Sequence, residues 1–236
     1  MENSFTKEIR MKKYAVLVAG GVGSRMGSMM PKQFLLVNDR PVLYYTIKSF
    51  LDAYSDLEVI LVLPPDHLDL GKEIIDAFFD YSRIKIASGG ETRFHSVKNG
   101  LQLVEDESIV FVHDAVRCLV SPELIQRCYE HAIKMGSAVP VVYSKDSVRF
   151  LKEEENDNEV VERDKIVFVQ TPQTFHSKIL LSAFEIDYKE RFTDEATVVE
   201  ALGLKISLVE GDENNLKITR PIDLVIAEKL LSMKED

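Results

Sequence analysis

The chain has 236 residues, 45% of them hydrophobic and 29% charged, a globular composition that excludes collagen-like, low-complexity and disulfide-scaffold classes. Twenty-nine Lys and Arg against 39 Asp and Glu give a formal net charge of −10, so neither nucleic acid nor an anionic membrane is an expected partner. An anionic ligand has to be captured by a local cluster of cations, and a chain of this length buries about 70–75% of its unfolded surface without needing a metal or disulfide.

Residues 1–10, MENSFTKEIR, read as an N-terminal extension. The apolar run from Tyr14 to Ala19 follows Lys12 and Lys13, but Glu2 and Glu8 precede it and Gly20, Gly21 and Arg25 end it, so it reads as a buried strand and not as a signal peptide. No stretch approaches the roughly 18 apolar residues of a membrane span. Cys118 and Cys128 form no ligand or disulfide pattern, and the chain is expected to be cytoplasmic.

Short β-branched runs then alternate with amphipathic segments, the signature of an α/β fold with a Rossmann-like, mostly parallel sheet flanked by helices. Strands are predicted at Tyr14–Ala19, Val59–Leu63, Ile84–Ala87, Ile109–Val112, Ala138–Val142 and Ile206–Val209. Helices are predicted at Val42–Ala53, Leu68–Phe79, Thr92–Val104, Pro122–Met135, Ser177–Asp187, Glu195–Leu202 and Pro221–Met233. Ser121, Asp194 and Thr219 stand where helix caps belong. From about residue 145 to 169 the alternation breaks into two β-like segments around an acidic tip, which suits an antiparallel arm that a second subunit embraces. Residues 1–236 are therefore expected to form one domain with a β-arm and to pair as a homodimer through it.

The first strand runs into AGGVGSRMG, and PKQF follows at 31–34. Glycines at the carboxyl end of a strand let backbone N–H groups approach an anion, while Arg25 and Lys32 supply charge that the acidic body lacks. A Walker loop needs Gly-Lys followed by Ser or Thr, which is absent, and the dinucleotide fingerprint fails because position 26 is Met.

AGGVGSRMG with PKQF closely resembles the opening motif of the polyol-phosphate cytidylyltransferases, above all those acting on 2-C-methyl-D-erythritol 4-phosphate. GGETRFHSVKNGL at 89–101, VHDAVR at 112–117, QTPQTF at 170–175, TDEA at 193–196 and EGDENNLKITRPIDL at 210–224 extend the resemblance over nearly the whole chain from Met11. It implies a single nucleotidyltransferase domain that moves a cytidylyl group from CTP to the phosphate of methylerythritol phosphate, with Mg2+, in isoprenoid precursor synthesis. Arg25 and Lys32 would contact the triphosphate and stabilise the transition state. Ala19, Gly20, Gly21 and Gly23 would offer backbone contacts to CTP, and Gly90 and Ser96 would lie against cytosine. Asp114 and Ala115 match binding positions, Asp114 being also a candidate magnesium ligand. Arg163 and Lys217 match the cations that position the polyol phosphate, Thr171 a substrate-binding hydroxyl, and Ser147 takes the place of a threonine. Val116 and Cys118 depart from the usual His-Asp-Ala-Ala-Arg-Pro. Ribitol 5-phosphate as the acceptor, and a nucleotide-binding protein without turnover, are the competing readings.

Overall fold

The protein is described by a computed structural model over residues 11–20, 30–105, 107–152 and 157–235. Residues 1–10, the loop carrying Gly21, Gly23 and Arg25, and the tip of the arm at 153–156 lie outside the described residues. The first half of the chain forms β1 (Lys12–Val18), β2 (Leu36–Val37), β3 (Arg40–Pro41), α1 (Val42–Ala53), β4 (Leu57–Leu63), α2 (Leu68–Phe78), β5 (Ile84–Ser88), α3 (Arg93–Leu101) and β6 (Ser108–Asp114). The second half forms α4 (Pro122–Met135), β7 (Ser137–Tyr143), β8 (Val148–Leu151), β9 (Asn158–Val161), β10 (Val167–Val169), β11 (Gln173–His176), α5 (Ser177–Ala183), α6 (Glu195–Glu200), β12 (Leu208–Glu210) and α7 (Pro221–Glu235).

β1 pairs in parallel with β4 on one side and β6 on the other, and β4 carries β5 in parallel. The chain leaves β1 toward β4 and β5 and then returns to the opposite side at β6. The strand order therefore reverses between β1 and β6, where open α/β sheets form a ligand crevice at the carboxyl ends of the strands. Period-two alternation builds the two faces. Ala15, Leu17, Val59, Leu61, Ile109 and Phe111 pack with residues of α1, α2 and α4, whereas Tyr14, Val16, Ile60, Val62, Val110 and Val112 pack with residues of α3, α5 and α6. Each fully buried apolar side chain of this size contributes about 1.5–3 kcal/mol.

The mostly parallel sheet matches expectation, with one strand unforeseen. β11 inserts antiparallel between β6 and β7, and β10 is antiparallel to β7. β11 is four residues long and mixes Gln, Thr, Phe and His, too short and too polar to give a readable alternation. The expected strand at 206–209 forms instead as Leu208–Glu210, and the helices from Ser177 and Glu195 end early, at Ala183 and Glu200. Of the segment at about 145–169 expected to form an arm, residues 148–161 contain the antiparallel β8–β9 hairpin, in which Val148 faces Val161, whereas Val167–Val169 join the main sheet as β10.

The caps at α4 and α6 hold. Ser121 accepts from the Leu124 N–H, and Asp194 and Thr197 form a reciprocal capping box. Asp223, in the first turn of α7, reaches back to accept from the Thr219 and Arg220 N–H groups, so the cap expected of Thr219 is supplied by this carboxylate.

Gly100 sets the distance between α3 and the sheet. A Cβ there would fall 2.7 Å from Val16 Cγ1 and 2.9 Å from Val62 Cγ2. Both are stiff β-branched side chains on central strands. Gly100→Ala is expected to destabilise the protein by about 1–3 kcal/mol by overpacking, although alanine favours a helix over glycine by about 1 kcal/mol. Urea denaturation checks this, and an unchanged or higher midpoint contradicts it.

Candidate active site

A cleft of about 270 Å3 opens at the strand reversal, lined by Val18–Gly20, Lys32, Gln33, Gly90–Arg93, Ser96, Asp114, Val116 and Lys217. A smaller lobe adjoins it, sharing Arg93, Asp114 and Lys217 and adding Arg117, Gln170, Thr171, Thr193 and Asp194.

The larger lobe is built by strand ends held at fixed spacing. The Ala19 N–H donates to the Val62 carbonyl, and the Ala19 carbonyl accepts from Gln33 Nε2 at 2.6 Å, while Gln33 Oε1 is buried with no partner among the described residues. Across the cleft, the Gly90 N–H donates to Ser96 Oγ at 3.1 Å, and Ser96 Oγ donates to the Thr92 carbonyl at 3.0 Å. Ser96 thus closes the turn that opens α3. Space dictates glycine at one position here: a Cβ on Gly90 would lie 2.5 Å from His95 Cβ, whereas one on Gly20 would press less severely on Ser96 Oγ, at 3.3 Å. Lys32, on a single turn at 32–34, donates to the Ile218 carbonyl at 2.8 Å, which brings it beside Lys217.

Asp114 ends β6 and joins the two lobes. Lys217 Nζ lies 3.0 Å from Oδ2, Arg93 Nε 3.3 Å from Oδ1 and Arg117 Nε 3.5 Å from Oδ2. Burial alone would raise the carboxyl pKa, but Arg93, Lys217 and Arg117 together outweigh it and hold Asp114 well below the usual carboxylate range. Arg93 is in turn gripped by both carboxylate oxygens of Glu195, the fully buried first residue of α6. Burial would loosen the proton on Arg93, and Glu195 and Asp114 overcome that, keeping the guanidinium charged.

The sequence-derived residues distribute unevenly. Ala19, Gly20, Lys32, Gly90, Ser96, Asp114 and Lys217 meet in the cleft, and Thr171 reaches the smaller lobe. Ala115 is fully buried, its N–H donating to Val18 and its carbonyl accepting from Thr46 Oγ1. Ser147 and Arg163 sit at the base of the hairpin, exposed, and neither lines the two lobes. Gly21, Gly23 and Arg25 lie outside the described residues. Residues given no role from sequence also converge here: Gln33, Arg93, Arg117, Thr193 and Glu195. Their signal was available, since each lies inside a quoted motif as a polar residue next to a strand end or helix start.

His113, fully buried beneath Asp114, is pushed down to about 3 by burial. An imidazole held neutral in the folded protein but free to protonate when unfolded favours unfolding as pH drops below its ordinary value of about 6.5. Folding stability is therefore expected to fall between pH 7 and 4.5, with His113 accounting for about 2–3 kcal/mol of the loss. Urea unfolding at the two pH values should show a smaller loss in His113→Gln; an equal loss in both proteins contradicts this assignment.

Comparison with known proteins agrees with this geometry. The family described as 2-C-methyl-D-erythritol 4-phosphate cytidylyltransferase matches residues 14–233. A relative of that name from Phocaeicola vulgatus is 45% identical over 221 residues, covering 94% of this chain and 100% of its own. Another from Porphyromonas gingivalis is 41% identical over 225 residues, covering 95% and 100%. The crystal structure of 4-diphosphocytidyl-2C-methyl-D-erythritol synthase from Anaerococcus prevotii superposes with a TM-score of 0.81 at 27% identity, over 94% of this chain and 99% of that one. The Thermus thermophilus 2-C-methyl-D-erythritol 4-phosphate cytidylyltransferase gives 0.70 at 33% identity, over 92% and 98%. With the family match running through every strand and helix that builds the cleft, the chain belongs to the 2-C-methyl-D-erythritol 4-phosphate cytidylyltransferase family.

Proposed function

We infer that the protein transfers a cytidylyl group from CTP to 2-C-methyl-D-erythritol 4-phosphate, giving CDP-methylerythritol and pyrophosphate for isoprenoid precursor synthesis. The observation that carries this reading is one carboxylate, Asp114, gathering Lys217, Arg93 and Arg117 at the junction of two lobes, in a chain of this family. The substrate phosphate attacks the α-phosphorus, its new P–O bond forming as the bond to the β-phosphate oxygen breaks, and pyrophosphate leaves with that electron pair. A phosphate monoester is largely dianionic at neutral pH, so no general base is required. The difficulty is to bring two polyanions together and to stabilise charge in the transition state.

The larger lobe suits the nucleotide. Ala19, Gly20 and Gly90 present backbone, Ser96 braces the turn that would face the base, and Lys32 supplies charge toward the triphosphate, with Gly21, Gly23 and Arg25 assigned to the same task. The smaller lobe suits the polyol phosphate, with Lys217 holding the phosphate and Asp114 accepting from a hydroxyl. Ala115 would act by fixing the strand ends on either side of the crevice.

Among the described residues no cluster of three or more His, Cys, Asp or Glu forms a metal cage, and the cleft carboxylates are Asp114 and Glu91. Asp114 already faces three cations. This donor set fits a magnesium ion that arrives on the triphosphate and keeps most of its water, with at most one or two protein carboxylates. When bound, the ion would neutralise charge on the phosphates.

The exposed Phe150, Leu151 and Val160 on the hairpin, with Tyr143 and Phe168 beside its base, support a homodimer formed through the arm. Arg163 and Ser147, which do not line the lobes of their own chain, would then complete the partner's site. We take the chain to act in the cytoplasm, in keeping with its two free cysteines.

Pyrophosphate release with CTP and each polyol phosphate tests the substrate: turnover with methylerythritol phosphate is expected, and a preference for ribitol 5-phosphate, or CTP binding with no product from either, overturns it. Mixing the inactive variants Arg163→Ala and Lys217→Ala should restore about a quarter of wild-type activity if subunits exchange and sites are shared, because half of randomly formed dimers then hold one intact site. No recovery after verified exchange contradicts sharing.

A further inference from the structure

The neutral His113 ring touches neither lobe, yet it connects two of the groups that line the smaller one. Its Nδ1 lies 2.9 Å from Thr171 Oγ1, and its Nε2 lies 3.3 Å from the Arg117 carbonyl. A carbonyl only accepts, so Nε2 carries the proton and Nδ1 is the acceptor. Thr171 must then donate its single hydroxyl proton to Nδ1. The same oxygen accepts from the Asp114 N–H at 3.1 Å. The Arg117 N–H donates back to the Asp114 carbonyl at 3.0 Å, closing the turn from 114 to 117.

Thr171 is fixed from behind as well: its carbonyl accepts from Asn215 Nδ2 at 2.8 Å, and the Asn215 carbonyl accepts from Arg117 Nη1 at 2.8 Å. The ring is held by packing against Phe50, with centroids 5.1 Å apart. The charged groups that act on it most strongly are Asp114 and Arg117, on its own segment.

We propose that His113 is a positioning residue for the reaction: through Thr171 and the Arg117 carbonyl it sets the turn that aims Asp114 and Arg117 into the polyol-phosphate lobe. Thr171 consequently acts by holding Asp114 and not by donating a hydrogen bond to the substrate, which revises the role that its motif suggested. This rests on the cytidylyl-transfer reading above.

Thr171→Val removes the hydroxyl at nearly constant volume, and His113→Gln removes the ring. Each is expected to raise KM for methylerythritol phosphate about tenfold while leaving KM for CTP within about twofold, the size of one lost buried hydrogen bond. The double variant should be no worse than the worse single one, because both break the same connection. Thr171→Ser should recover to within about threefold of wild type, since the hydroxyl is kept. Multiplying losses in the double variant, or a normal KM in His113→Gln alongside a defective Thr171→Val, overturns the proposal in favour of direct substrate contact by Thr171.

A second measurement does not depend on turnover or on a foldable His113 variant. Imidazole 15N shifts in the wild-type protein should report the Nε2–H tautomer, and Thr171→Val should shift Nδ1. An Nδ1–H tautomer overturns the proposal. A wild-type protein with no turnover but the expected tautomer and Nδ1 shift would instead count against the cytidylyl-transfer reading.

Discussion

A carboxylate removed from water persists as an anion only where positive charge answers it, and Asp114 is answered three times, by Lys217, Arg93 and Arg117. The converse holds for the cations. Three of them brought to one crevice of a chain with net charge −10 would repel one another without the anion at their centre. Glu195 extends the same logic one step outward, gripping Arg93 so that its guanidinium cannot swing away from Asp114. The site is a small alternating lattice of charge, and its positive surplus is what a phosphate would meet.

That lattice exists because of the topology. Asp114 is the last residue of β6, Arg93 the first of α3, Glu195 the first of α6, and Lys217 lies in the segment before α7. Asp114, Arg93 and Glu195 stand at the ends of elements and Arg117 and Lys217 in the loops that follow or precede them, where backbone turns away from the sheet and a side chain reaches over the crevice. Backbone bonds keep the pieces in register: Ala115 to Val18, Ile218 to Val116 and Gly89 to Leu63. The apolar faces beneath β1, β4 and β6 supply the rigidity that a reaction dominated by positioning needs.

Much of this was legible in the sequence. Period-two apolar runs placed the central strands to within a few residues, and the cap at Ser121 and the one at Asp194 marked helix starts that the structure keeps. Lys32, Asp114 and Lys217 were identified because motif context lifted them above ordinary surface charge. What escaped detection depended on contacts between distant residues. Arg93 and Glu195 are 102 positions apart, and nothing local in either segment announces a pair. β11 is stabilised by two neighbours in the sheet and not by its own four residues. Thr171 carried the right residue type for substrate binding, but its partners, His113 and the Asp114 N–H, are 58 and 57 positions away.

The central claim is that Asp114 organises the cations for the polyol phosphate instead of competing with it for Lys217. Calorimetric titration of Asp114→Asn with methylerythritol phosphate, in the presence of a non-hydrolysable CTP analogue, separates these directly. If Asp114 organises the site, the substitution leaves Lys217 and Arg117 without their carboxylate partner, and Arg93 held by Glu195 alone, in an ill-fitting lobe, and affinity falls by about tenfold or more, a loss of roughly 1.4 kcal/mol. If Asp114 merely masks Lys217, the same substitution frees the ammonium and affinity rises, which would contradict the account.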